Sequence, residues 1–287
     1  MPLRLGARTF DDTELVVMAI VNRTPDSFFD RGATFAWQAA LDAVDRAVDD
    51  GAGVVDIGGV KAGYGADVSV EEECRRVLDL VVAVRARHPE LVISVDTWRS
   101  AVAERVLDAG ADLINDTWAG ADPGLRAVVA SHDAGIVCSH TGGLPPRTDP
   151  HRVRYEDVVA DVIAGVDALA SSAVADGVRV DAILVDPTHD FGKNTWHSLD
   201  LTRRLDELVA LGYPVLVALS NKDFVGETLG LPVAERLSGT LAATAISAWH
   251  GARVFRAHQV RETRQVLDMV ASIKGARPPA FARRGLA

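Results

Sequence analysis

Eight short apolar runs in this chain each lead into a residue that can hydrogen-bond or carry charge: Asn22, Asp56, Asp96, Asn115, His140, Asp186, Ser220 and Arg256. Asp96, Asn115 and Asp186 offer acceptors, and Asn115 is also a donor, so together they can pair the polar edge of a flat ligand. Buried carboxylates without such a partner are costly. Lys222, within Ser220-Asn221-Lys222-Asp223, can donate to a ligand carbonyl or to a carboxylate. Asn22, Arg256 and His258 add polar and cationic groups suited to an anion. The formal charge of −10 makes such local groups necessary, because an anionic ligand gains nothing from the overall field. Any one of the eight positions is as well explained by capping of the helix that follows a strand. Capping is a poor account of all of them together.

The runs themselves are Leu15 to Ile20, Val54 to Ile57, Leu91 to Val95, Asp112 to Ile114, Ala134 to Cys138, Ala182 to Val185, Pro214 to Leu219 and Ala252 to Phe255. They are nearly continuous in apolar residues, as strands buried on both faces are, and segments of crossover length separate them. Ala36 to Asp50 has helical spacing, and Ser69-Val70-Glu71-Glu72 reads as a capping box opening a helix to about Arg87. Pro232 to His250 reads as a helix rich in small residues. A short hairpin is expected from Leu3 to Leu15, turning at Asp11-Asp12. Strands alternating with helices predict an α/β protein, and eight strands in 287 residues favour a closed (β/α)8 TIM barrel over an open sheet. One domain is expected over residues 1–274, followed by a flexible tail at 275–287. In a barrel the eight polar residues converge on one mouth, where active sites are built.

Composition narrows the class further. The acidic charge balance argues against general binding to nucleic acid or membranes, and no apolar run is expected to reach the roughly 18 residues of a membrane span. No secretory leader is evident, so the expected location is the cytoplasm. Cys74 and Cys138 have no metal-ligand spacing and are expected as free buried thiols.

Asn22-Arg23-Thr24-Pro25-Asp26-Ser27-Phe28 resembles the first signature of the dihydropteroate synthases, which join a pterin pyrophosphate to p-aminobenzoate. Val54-Val55-Asp56-Ile57-Gly58-Gly59, Ser94-Val95-Asp96-Thr97, Ile114-Asn115-Asp116, Asp186-Pro187, Phe191-Gly192-Lys193-Asn194 and Arg256-Ala257-His258 are similar to that family in the same order. The resemblance implies a pterin pocket at Asp96, Asn115, Asp186, Lys222 and Arg256. It implies a pyrophosphate site at Asn22, Arg256 and His258, with Mg²⁺ brought by the diphosphate and met by Asn22. It also implies a homodimer through the last helices and binding of sulfonamide- or sulfone-type p-aminobenzoate analogues.

The departures from the family are local. Its second loop carries Glu-Ser-Thr-Arg-Pro-Gly after the paired glycines, whereas this chain reads Val60-Lys61-Ala62-Gly63-Tyr64-Gly65, without the Thr and Arg that help hold p-aminobenzoate. The family's Ser-Arg-Lys-Ser is Ser220-Asn221-Lys222-Asp223, its Gly-rich segment after Asp-Pro is Thr188-His189-Asp190, and an Asp after the final Arg-x-His is Gln259. Arg23 stands where the family prefers an apolar residue. The expected function is a pterin-binding paralogue with little or no synthase activity. An active synthase, a non-catalytic regulatory protein and the methyltetrahydrofolate methyltransferases, which share a similar barrel, are the alternatives.

Overall fold

A computed structural model describes residues 1–24, 34–61, 63, 65–148 and 153–284. Pro25 to Phe28 of the opening motif, with Ala62 and Tyr64, therefore lie outside the described residues. The chain opens with a hairpin of β1 (Leu3–Leu5) and β2 (Arg8–Phe10), which pair antiparallel. Its turn falls at Gly6-Ala7, where Gly6 has φ +54°, and not at Asp11-Asp12 as expected. Asp11 instead folds back on Thr13 through a hydrogen bond from the Thr13 N–H at 2.8 Å.

Eight parallel strands follow: β3 (Val16–Asn22), β4 (Val54–Gly58), β5 (Val92–Asp96), β6 (Leu113–Asp116), β7 (Gly135–Ser139), β8 (Ile183–Asp186), β9 (Leu216–Ala218) and β10 (Val254–Ala257). They pair in the order β8-β7-β6-β5-β4-β3-β10-β9. A parallel bridge between Val185 and Val215 brings β8 to β9 and closes the barrel. The outer layer is α1 (Trp37–Asp49), α2 (Val70–Arg87), α3 (Ser100–Asp108), α4 (Leu125–Ser131), α5 (Val158–Ala175), α6 (Thr195–Arg203), α7 (Leu205–Val209), α8 (Asp223–Leu229), α9 (Leu237–His250) and α10 (Val260–Ile273). Ser69 caps α2 by accepting the Glu72 N–H at 3.2 Å, while the Glu72 carboxylate turns to Arg76 at 2.7 Å. The helix expected from Pro232 is divided: a 3-10 turn, Val233–Glu235, precedes Arg236, and α9 begins after it.

Helix α5 corrects one expectation, since its 18 residues with mean hydropathy 1.7 are long and apolar enough to cross a membrane. Here it is a barrel helix, burying Val158, Val159, Val162, Val166, Ala170 and Ala173. Cys74 and Cys138 are free and buried. Residues 275–284 are exposed and form neither helix nor strand.

Side-chain alternation explains the rest. Val17, Val55, Ile93, Ile114, Ile136, Ile183, Val217 and Phe255 face the helices in one apolar layer. Val16, Met18, Val54, Val92, Leu113, Val137, Leu184, Leu216 and Val254 face the lumen in another, which Leu3, Leu5 and Phe10 of the hairpin join. The amino-terminal half of the lumen is thus a plugged hydrophobic core. Gly135 allows the plug to enter, because a Cβ there would lie 2.4 Å from Leu5 Cδ2 and 2.8 Å from the Ala182 carbonyl oxygen. Phe10 is fully buried in this plug. Phe10→Ala is expected to lower stability by about 3–5 kcal/mol, read as an earlier urea midpoint at unchanged slope.

Candidate functional site

The residue two places beyond each lumen-facing apolar position faces the same way, which gives the polar residues their direction. Asp56 follows Val54, Asp96 follows Val92 and Ser94, Asn115 follows Leu113, Asp186 follows Leu184, Ser220 follows Leu216 and Ala218, and Arg256 follows Val254. His140 has the opposite parity. It lies one residue past β7 and turns to α5, where Nε2 meets Asp161 at 2.8 Å. Burial holds its pKa down at about 4. The strands also run further than expected, so Asp56, Asp96, Asn115, Asp186 and Arg256 are strand residues and not loop residues.

A cavity of about 310 Å³ opens at this carboxyl end, and Asn22, Asp96, Lys222, Arg256 and His258 line it together with Lys61 and Gly63. Asn115 and Asp186 are buried behind that lining, 3% and 4% exposed. A second cavity, about 440 Å³, lies at the other end among Leu15, Pro214 and Arg253 and contains none of the predicted site residues. Among the described residues the mouth cavity gathers most of them, and it is therefore the candidate site.

Arg256 organises its floor. Its Nε donates to Asp56 Oδ2 at 2.6 Å and Nη2 to Asp96 Oδ2 at 3.0 Å. Asp56, fully buried, also accepts from Ser94 Oγ at 2.6 Å and from Asn115 Nδ2 at 3.1 Å. Asp96 accepts from Thr117 Oγ1 at 3.0 Å. Burial, reinforced by Asp56, pushes Asp96 up to about 7 against the pull of Arg256. Burial opposes the charge of Arg256, but Asp56 and Asp96 outweigh it and hold its pKa above the usual value. Asp186 is likewise raised by burial, with Lys222 opposing, and its Oδ1 accepts the Thr188 N–H at 2.7 Å. Lys222 is lowered by burial; its ammonium donates to the His189 carbonyl and lies 5.0 Å from the centre of the Phe191 ring. Asp56, Ser94 and Thr117 were not among the predicted ligand residues. Asp56 was expected at the mouth as one of the eight strand-end residues, without a ligand role.

The departures from the family have specific partners. Asn221 is buried, and its Nδ2 donates to Gln259 Oε1 at 3.2 Å, so the missing Arg and the missing Asp are replaced by a bonded pair of amides. The gained Asp223 lines the cavity, but Arg236 pairs with it at 2.7 Å. His189 does not enter the expected pocket. It is fully buried, stacks on Phe224 and sits 3.2 Å from Thr202 Oγ1, with its pKa lowered by burial. Asp190 does line the cavity, accepting the Asp223 N–H at 2.7 Å and the Phe224 N–H at 3.3 Å. Arg23 Nε donates to the Arg76 carbonyl at 3.0 Å, with Phe35 and Trp37 beside its guanidinium.

Comparison with known proteins agrees with this fold. The pterin binding enzyme family matches residues 18–258. Over 276 residues the chain is 59% identical to the inactive dihydropteroate synthase 2 of Mycobacterium leprae, covering 95% of each protein. It is 36% identical over 270 residues to the dihydropteroate synthase of Haemophilus influenzae, covering 94% of this chain and 98% of that one. Its fold superposes with a TM-score of 0.90 on the Yersinia pestis dihydropteroate synthase solved with a sulfonamide drug, at 34% identity, covering 96% of this chain and 100% of that one. With its barrel and nearly its whole length matched in this way, the chain belongs to the dihydropteroate synthase family of pterin binding enzymes.

Proposed function

We propose that this protein is a divergent dihydropteroate synthase paralogue that binds a pterin at the barrel mouth and has lost the condensation of 6-hydroxymethyl-7,8-dihydropterin pyrophosphate with p-aminobenzoate. The observation that carries this reading is the contrast between two parts of one cavity. Asp96, Asn115, Asp186, Lys222 and Arg256 converge at or just behind its lining, whereas Lys61 and Gly63 occupy a second loop that lacks the family's Thr and Arg. The similarity to a protein named an inactive dihydropteroate synthase 2 supports it.

In this reading, Asp186 and Asn115 pair the amine and ring nitrogens of the pterin, and Lys222 meets its carbonyl. Arg256 gives up part of its hold on Asp96 when the ring enters, which exposes a second carboxylate. Asn22, Arg256 and His258 receive the anionic end. In the reaction of the family, pyrophosphate leaves before the arylamine attacks, so positioning and charge stabilisation do the work. A loop without its hydroxyl and guanidinium loses both for the second substrate. Loss of one such donor typically costs ~3 kcal/mol, or ~10²-fold in rate. Among the described residues no group of three or more His, Cys, Asp or Glu side chains is placed to hold a metal. In this reading Mg²⁺ arrives with the diphosphate and meets the amide oxygen of Asn22. Binding of sulfonamide or sulfone analogues of p-aminobenzoate belongs to the same reading, and so does a cytoplasmic location, which the free buried thiols of Cys74 and Cys138 support.

The last helices support a homodimer. Ile246 and Trp249 of α9 are 47% and 55% exposed, and Met269 and Ile273 of α10 are 61% and 60% exposed. Large apolar side chains left exposed on two neighbouring helices are what an association surface would cover.

Incubation with the pterin pyrophosphate, p-aminobenzoate and Mg²⁺ is expected to yield no dihydropteroate by chromatography, while calorimetry detects binding of 6-hydroxymethylpterin. Turnover near that of an authentic synthase would overturn the first half, and absence of binding the second. Asp186→Asn is expected to weaken pterin binding roughly 10- to 100-fold in the same titration, as loss of a charged hydrogen-bond partner does. Sedimentation should give a dimer for the parent chain and a monomer for Trp249→Glu.

A further inference from the structure

The loop between β8 and α6 is wound in an unusual way. Thr188 has φ +53°, Asp190 +70° and Gly192 +63°, so every second residue is left-handed. For Thr188, which is β-branched, this conformation is a genuine outlier and needs its surroundings to hold it. Gly192 is required in its place, since a Cβ there would lie 2.2 Å from the Thr141 carbonyl oxygen.

The consequence is that several of the loop's carbonyls turn towards side chains, while that of Thr188 also accepts the Phe191 N–H at 3.2 Å. Side chains from three directions receive them. Lys222 donates to the His189 carbonyl and Tyr155 Oη to that of Gly192 at 2.8 Å. The remaining donor is Lys193, which is 8% exposed. Its ammonium donates to the carbonyls of Thr188 at 3.2 Å, Phe191 at 3.0 Å and, across the barrel rim, His140 at 2.8 Å. Three acceptors match the three protons of the ammonium form; burial lowers its pKa to about 7, with Asp186 opposing, so the full set of donors is present on the acid side of neutrality. Lys193 is not part of the cavity lining, but two residues of the loop it ties, Asp190 and Phe191, are.

We propose that Lys193 is a positioning residue, an internal cation whose carbonyl cage fixes the β8–α6 loop and thereby sets Phe191, Asp190 and the carbonyl that receives Lys222 against the ligand. This rests on the reading of the mouth as a pterin site, but the cage is testable without any ligand. Removal of the ammonium takes this donor from the carbonyls of His140 and Phe191 and leaves that of Thr188 with the Phe191 N–H alone, which loosens the left-handed turns. A small primary ammonium ion in solution can take its place where the side chain has been shortened. A quaternary ion, with no N–H, cannot.

The test is Lys193→Ala in the full chain, followed first by amide hydrogen exchange of the segment 186–193 without ligand. Exchange is expected to accelerate roughly tenfold or more. Propylammonium chloride, which replaces the deleted atoms, should restore protection, and tetramethylammonium chloride at equal ionic strength should not. Calorimetric titration with 6-hydroxymethylpterin should show affinity lost and regained in parallel. Lys193→Met, which keeps the length but fills the space, should lose protection without rescue, and it carries the exchange test if the alanine variant does not fold. Unchanged exchange in the variants, or equal response of the alanine variant to both salts, overturns the proposal. A parent chain that fails to bind pterin while the exchange results hold would overturn the ligand reading and leave the cage intact.

Discussion

The structure depends on one ion pair, the buried carboxylate of Asp56 and the partly buried guanidinium of Arg256, and what surrounds it. Arg256 projects into a lumen whose lower half is closed by Phe10, Leu5 and the inward residues of the strands, so its guanidinium has no route to bulk water on that side. Such a charge is tolerable only when paired and fully hydrogen-bonded. Asp56 and Asp96 pair it, and Ser94, Asn115 and Thr117 satisfy further lone pairs of the two carboxylates. Breaking such a pair from one side typically costs about 3–5 kcal/mol, because the other charge stays buried. The polar floor is therefore a structural necessity once Arg256 is present. It is also what gives a polar ring a ready set of partners.

Much of this was legible in the sequence because a strand has a fixed period. Once Val54, Val92, Leu113, Leu184 and Val254 are assigned to the lumen, counting by two places Asp56, Asp96, Asn115, Asp186 and Arg256 in the mouth. The same count excludes His140, which follows the outward-facing Cys138 by two. What the count cannot give is range. Arg256 and Asp56 are 200 positions apart, and their contact depends on β10 pairing with β3 and β3 with β4, which fixes how far one side chain must cross. Left-handed residues such as Thr188 and Asn221 were equally hidden, because neither position carries the glycine that would have announced it. The hairpin turn was misplaced for a related reason: Asp11-Asp12 has turn chemistry, but Gly6 supplies a positive φ one strand earlier.

The departures from the family sort by whether the fold has absorbed them. At positions 221 and 259 a cation and an anion are both missing, and the two amides now bond each other while Ser220 Oγ donates to Gln259 Oε1 at 3.1 Å. At position 223 an anion has been added, and Arg236, which also donates to the Asn221 carbonyl at 2.9 Å, pairs with it. The losses at 221 and 259 offset each other, and the added Asp223 makes this side of the mouth more negative, with Arg236 beside it.

The second loop is different in kind. Arg147 reaches it from the β7–α5 loop, donating to the Ala66 carbonyl at 2.8 Å and towards that of Gly63 at 3.4 Å, so a guanidinium is spent on the loop's backbone. Lys61 offers one compact ammonium at the cavity wall in place of a planar fork, and the two groups recognise carboxylates with different geometry. A glycine at position 63 also adds backbone freedom that closure must remove. Paired substitutions keep a barrel folded and its floor intact, whereas an unpaired one in a loop that must close over a second substrate subtracts directly from the chemistry. On the proposed function, that asymmetry is how a chain keeps the architecture of a synthase and the partners for its first substrate while losing the reaction.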